Sequence, residues 1–141
     1  MLKARKKNNC RGTATVETAI ILVLLLSLTF GVIEYGWLFL KKQQITNAAR
    51  NGARVAIRWG ATNATVTARI SNLMDDADIG GYSITFTPGD VGSVTVGDPL
   101  AVRVSVPVPV PRKNGNIVIN FPFIPKPTTL GASVTMSKEG P

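Results

Sequence analysis

Between Glu17 and Glu34 lie sixteen residues without a charge, TAIILVLLLSLTFGVI. If Glu34 is tolerated, the apolar run continues to Leu40 and dominates the stretch from Arg11 onward. At about 1.5 Å per residue, Thr18 to Ile33 gives roughly 24 Å of helix and Thr18 to Leu40 roughly 34 Å. A hydrocarbon core of about 30 Å lies between those lengths. The short version spans with thinning or snorkelling, and the long version with some tilt. The stretch therefore predicts one membrane helix, residues 13–40, with a carboxylate near each end.

Three kinds of segment share this pattern. A cleaved secretory signal has a basic start and an apolar run, then a small-x-small site. Here the run is followed by Gly31-Val32-Ile33-Glu34-Tyr35-Gly36-Trp37, a poor match. An uncleaved signal anchor fits by composition alone. The third kind starts from Gly12 and Glu17. Residues 1–12, MLKARKKNNCRG, carry Lys3, Arg5, Lys6, Lys7 and Arg11 and no acid. A cut after Gly12 would make Thr13 the N-terminus and Glu17 the fifth residue, at the head of the apolar helix.

A basic leader ending in glycine, a glutamate five residues on and an apolar helix resemble a type IV prepilin. The segment as a whole is similar to the TadE-like pseudopilins of Tad (Flp) pilus systems. The resembling residues are Gly12, Val16-Glu17, the apolar run, Ile33-Glu34-Tyr35-Gly36 and Ala48-Ala49-Arg50-Asn51-Gly52-Ala53-Arg54. Thr18 stands where Flp major pilins have tyrosine, and Thr13 where other type IV pilins have phenylalanine. The resemblance covers roughly residues 11–58. It implies cleavage between Gly12 and Thr13 by a prepilin peptidase, and pairing of Glu17 with the N-terminal amine of a neighbouring subunit. It also implies a set of partners: a Flp-type major pilin, other TadE-like minor pilins, the inner-membrane assembly platform and membrane lipid. The expected location is a bacterial inner membrane, crossed once with the N-terminus in the cytoplasm.

Charge narrows the classes further. The chain has 141 residues and a formal charge of +8, from sixteen basic and eight acidic residues. Five of the basic residues lie in 1–12, so cleavage leaves +3. The high pI is mainly topogenic, and no nucleic-acid motif accompanies it. There is no histidine, hence neither the commonest general base nor the commonest metal ligand. Cys10 is the single cysteine, so no disulfide forms within the chain. The acidic residues are scattered, and neither G-x-S-x-G nor a P-loop occurs. Asp75, Asp76 and Asp78 offer too short a ladder for calcium, and turn and capping roles suit them better. No metal, cofactor or enzymatic activity is expected.

Past Leu40 the period stays helical. Ala48, Ala49, Gly52, Ala53 and Ala56 form a small-residue stripe that permits close packing, either under the chain's own domain or against another subunit. Arg50, Arg54 and Arg58 recur every four residues on a neighbouring face, read first as solvated, second as a contact for acidic partner residues and a distant third as a DNA contact. Glu34 would meet Lys41, Lys42 or water, or make a second polar contact between packed helices. Gly60 reads as a C-cap. Thr62 or Asn63 starts a second helix with Val66, Ile70, Leu73 and Ala77 on its apolar face.

From Gly80 the period becomes two. Tyr82, Ile84 and Phe86 form one strand, and Pro88-Gly89 signals a type II turn. Val94 and Val96 make a short strand. Leu100 to Val110 alternate cleanly, with Pro107, Pro109 and Pro111 forcing an edge or an extended exit. Asn114-Gly115 signals a hairpin leading to Ile117 and Ile119, then the apolar loop Phe121-Pro122-Phe123-Ile124-Pro125. Leu130, Ala132, Val134 and Met136 form the last strand. The expected fold is α+β: a long N-terminal helix, a shorter helix and an antiparallel sheet of about four strands over residues 41–141, the pilin plan that the resemblance also implies. The function expected is structural or assembly work in a Tad-type pilus. The competing reading is an uncleaved, signal-anchored periplasmic binding or sensor module.

Overall fold

The structure, a computed structural model, describes residues 11–113, 125 and 127–140. Cys10 and most of the leader, the Asn114-Gly115 hairpin, Ile117, Ile119 and Phe121 to Ile124 lie outside the described residues. The fold is α+β. Helix α1 runs over Arg11–Ala56, α2 over Asn63–Asp76, β1 over Ser83–Thr87, β2 over Pro99–Pro107 and β3 over Thr129–Ser137. The chain divides into two compact units between Tyr35 and Gly36.

In the first unit, the apolar side chains of α1 face outward. Ile20, Val23, Leu24, Leu28 and Val32 are all exposed, and the most apolar window is not covered by any part of the chain. The helix is long and apolar enough to cross a membrane. The hydroxyls in this stretch bond to their own helix: Thr18 Oγ1 to the Ala14 carbonyl at 2.8 Å, Ser27 Oγ to Leu24 at 2.9 Å and Thr29 Oγ1 to Leu25 at 2.8 Å. Such back-bonding satisfies a polar side chain where lipid offers no partner.

In the second unit, the sheet order is β1-β2-β3, antiparallel throughout, with Val104 opposite Ile84 on one side and Ala132 on the other. Strand β2 is central because it is the cleanest alternator. Leu100, Val102, Val104 and Val106 are all buried, and the strand ends at Pro107, with Val108 N–H making one further bond to the Thr128 carbonyl at 3.0 Å. The buried face meets Ile45, Ala48, Ala49, Ala53 and Ala56 of α1 and Val66, Ile70 and Met74 of α2 in one core. Gly52 sits at the three-way junction: a Cβ there would lie 2.5 Å from Ile70 Cδ1 and 3.6 Å from Val102 Cγ1.

Several expectations are corrected in detail. The sheet has three strands among the described residues, and the expected strand at Ile117 and Ile119 lies outside them. Val94 and Val96 lie in a turn-rich loop, since only a few residues separate the turns on either side of them. Gly97 donates to the Lys138 carbonyl at 2.9 Å, and Lys138 donates back to Asp98 at 2.9 Å, so the neighbouring polar groups serve the end of β3. Gly60 is not a C-cap, because α1 ends at Ala56. It takes φ 73° in a turn closed by Ala61 N–H to the Arg58 carbonyl at 3.2 Å. The bend at Pro88-Gly89 is not type II, because Gly89 lacks the positive φ that turn requires.

Helix α2 starts where its sequence says. Thr62 is the N-cap and Thr65 completes a reciprocal capping box. Its most buried face is Val66, Ile70 and Met74, with Leu73 and Ala77 flanking it. Two of the carboxylates after Leu73 form ion pairs rather than the caps expected of them. Asp75 pairs with Lys113 at 2.8 Å, and Asp78, at φ 51°, pairs with Arg112 at 3.2 Å, tying the exit of β2 to the end of α2. Asn63, part of a sequon-like triplet, clamps the loop after β1: its amide donates to Gly89 at 3.0 Å and accepts from Val91 at 2.9 Å.

Candidate functional site

The predicted functional residues fall into separate places. Gly12, Thr13, Val16, Glu17 and Ile20 line one shallow face at the start of α1. This follows from helical geometry, since residues four apart stack on one side. Thr13 and Glu17 are both exposed, and an added Cβ at Gly12 would meet nothing within 4 Å. The Gly12–Thr13 peptide lies in the first turn of α1.

What this end of the helix can do is electrostatic. The N-terminus of a helix carries a partial positive charge, to which a free amine would add. A carboxylate one turn in stays ionised only near water or against a cation. Among the described residues Glu17 has no ion pair. The segment therefore presents a carboxyl side chain on an apolar, outward-facing helix.

Glu34 is placed differently. Its side chain is only 2% exposed. Lys41 and Lys42, expected near it, are engaged elsewhere: Lys41 Nζ donates to the Ala77 carbonyl at 2.6 Å and Lys42 Nζ to that of Gly131. Lys41 also lies 5.6 Å from the centre of the Trp37 ring. Burial lowers the Lys41 pKa below the ordinary lysine value, with Asp78 opposing the shift and Arg112 adding to it.

The small-residue stripe lies in the core. Ala48, Ala49, Ala53 and Ala56 are fully covered by the chain's own α2 and sheet, and Gly52 is buried with them. The stripe thus packs within the chain. The arginines beside it point the other way: Arg50, Arg54 and Arg58 are exposed.

Sequence reasoning missed one charged residue, Lys138, which is 6% exposed. Its ammonium donates to the Ala56 carbonyl at 3.0 Å and to Val91 at 3.4 Å, while Glu139 N–H reaches the Ile57 carbonyl at 2.9 Å. A cation is thereby held against the negative end of α1, where last-turn carbonyls lack helical partners. The signal was present in the sequence: Lys138 continues the inward phase of Leu130, Ala132, Val134 and Met136.

Residues 12–54 match the family model of TadE-like proteins. The match covers the apolar helix and its small-residue continuation, and stops before α2 and the sheet. No curated protein and no solved structure matches the chain.

Proposed function

We propose that this protein is a minor pilin or pseudopilin of a Tad (Flp) type pilus, with a structural and assembly role and no enzymatic one. In this reading residues 1–12 are a leader removed by a prepilin peptidase on the cytoplasmic face. Residues 13–40 anchor the protein in the inner membrane, and residues 41–141 form its extracytoplasmic domain. Its partners are a Flp-type major pilin, other TadE-like minor pilins and the assembly platform. The observation that carries the reading is that the family match begins at Gly12, the glycine that closes the basic leader.

Glu17 is the residue on which assembly would turn. Cleavage gives each subunit an α-amine at Thr13. Pairing of Glu17 with the amine of a neighbour satisfies both charges in a water-poor setting and fixes the axial register of the two helices. The deciding experiment is N-terminal sequencing of the membrane-bound protein from cells that carry the pilus machinery. Thr13 is the expected first residue, and Gly12→Leu should accumulate the longer chain. Retention of Met1 or Lys3 on the wild-type protein would overturn processing and favour the uncleaved, signal-anchored module.

A further inference from the structure

The α1 face that carries the arginines has a charge pattern that the chain itself does not answer. Residues 35–74 contain six basic residues and no acid. Three of the six, Arg50, Arg54 and Arg58, are exposed at four-residue spacing, about 6 Å apart along the axis where the chain is helical. Among the described residues none of the three forms an ion pair. Like charges four apart on a helix repel, and a glutamate placed among them would have stabilised it. The helix dipole explains little of the pattern. Arg54 does lie in the last turn of α1, but Lys138 already holds an ammonium against the Ala56 carbonyl, and Arg50 lies further in. The opposite side of the same helix is fully buried, so this is the side left for contact with another molecule.

We infer that Arg50 and Arg54, extended by Arg58 and Asn47, dock an acidic helix belonging to a different polypeptide. Planar guanidinium groups suit carboxylates presented at helical spacing, because each can accept two parallel hydrogen bonds. A second copy of this chain does not supply such a face. Asp75 and Asp78 are occupied by Lys113 and Arg112, Asp76 is a lone exposed carboxylate on the last residue of α2, Asp90, Asp98 and Glu139 lie in loops, and Glu17 and Glu34 belong to the apolar segment. Segments 1–10 and 114–124 contain no acid at all. Nucleic acid is disfavoured because no aromatic side chain lies between Arg50 and Arg58, and the exposed Trp59 beside Arg58 is a single ring rather than a series of stacking platforms.

The test uses the full-length protein in its native membrane, with a photo-crosslinking amino acid at Asn47, followed by mass spectrometry of the adduct. The expected adduct is a peptide from another protein with Asp or Glu at helical spacing. Its yield should fall at least roughly tenfold in Arg50→Glu/Arg54→Glu and recover when the facing acids are changed to lysine. If the reversed variant melts early by circular dichroism, Arg50→Gln/Arg54→Gln is read in its place. A lipid or nucleic-acid adduct, an adduct to a second copy, no adduct, or a yield indifferent to these changes would each overturn the inference. The inference stands apart from the pilus reading: an acidic partner from outside the pilus system would sustain it while removing that reading.

Discussion

Gly52 offers the sharpest test of how the domain is built. Adding one methyl there would place its carbon 2.5 Å from Ile70 Cδ1 and 2.6 Å from Ile70 Cγ1. Carbon atoms rest at about 3.5–4.0 Å, so Ile70 would have to retreat by about 1 Å. Ile70 is fully buried, and a β-branched side chain in a helix has essentially one χ1 well. Overpacking of this kind costs about 1–3 kcal/mol. Alanine also gains about 1 kcal/mol over glycine in a helix interior, so Gly52→Ala should destabilise by a net ~0–2 kcal/mol. The single variant alone is therefore a weak test, and the double-mutant cycle is a strong one. Ile70→Ala should cost about 2–5 kcal/mol by leaving a cavity. In that background Gly52→Ala should stabilise, because the clashing atoms are gone and the helix gain remains. The coupling should be about 1–3 kcal/mol. The assay is urea unfolding of fragment 36–141, once a cooperative transition is established, reading the midpoint at constant m. Additivity within about 0.5 kcal/mol would show that Gly52 is not the point where α1, α2 and β2 close.

The remaining predictions concern the other charged and structural positions. Fragment 36–141 should unfold cooperatively in denaturant, and a broad, non-cooperative melt would contradict a self-contained core. Lys138→Met should lower stability by about 1–3 kcal/mol, because the Ala56 and Val91 carbonyls lose a charged donor; an unchanged denaturation midpoint would show that water replaces it. Glu17→Gln should insert and be cut normally yet fail to co-purify with assembled pilus components, and normal recovery in the assembled fraction would reduce Glu17 to a membrane-boundary residue. Raising the pH toward 10.5 should slightly increase stability in a Lys41-dependent way. The folded state disfavours the charged lysine there, so the unfolded chain binds the extra proton in that window; the same slope in Lys41→Met would refute the assignment.

How much of this was legible in the sequence depended on whether one period dominated. The apolar stretch of α1 was unmistakable because sixteen residues carry no charge. Strand β2 was equally clear, since Leu100 to Val106 alternate without a break and Pro107 marks the end of the ladder. The start of α2 was legible to within one residue, Thr62 or Asn63, because residue type and the following helical period agreed, and the cap falls on Thr62. Val94 and Val96 misled because two valines spaced by one residue mimic a strand, while the partner of the adjacent backbone groups of Gly97 and Asp98 lies far along the sequence, at Lys138. Gly60 misled by lying near a helix end: it was read as a C-cap, but its positive φ serves a turn beyond Ala56.

The small-residue stripe shows why a motif can be visible while its use stays open. Small residues at i, i+3 and i+4 say only that something approaches the backbone closely, and a subunit or the chain's own sheet satisfies that equally well. Tertiary structure separates the two by burial. Ala48, Ala49, Ala53 and Ala56 spend the close approach on Ile70 and the valines of β2, with Gly52 at the junction, so nothing of that stripe is left for a partner. The family match nevertheless runs through both faces of this segment, ending at Arg54. The buried face accounts for the alanines and the glycine but not for Arg50 and Arg54, whose side chains contribute nothing to the core. A segment whose inner face is fully explained by packing therefore leaves its outer face as the place to look for recognition. There the residues are guanidinium groups, and among the described residues none of them forms an ion pair.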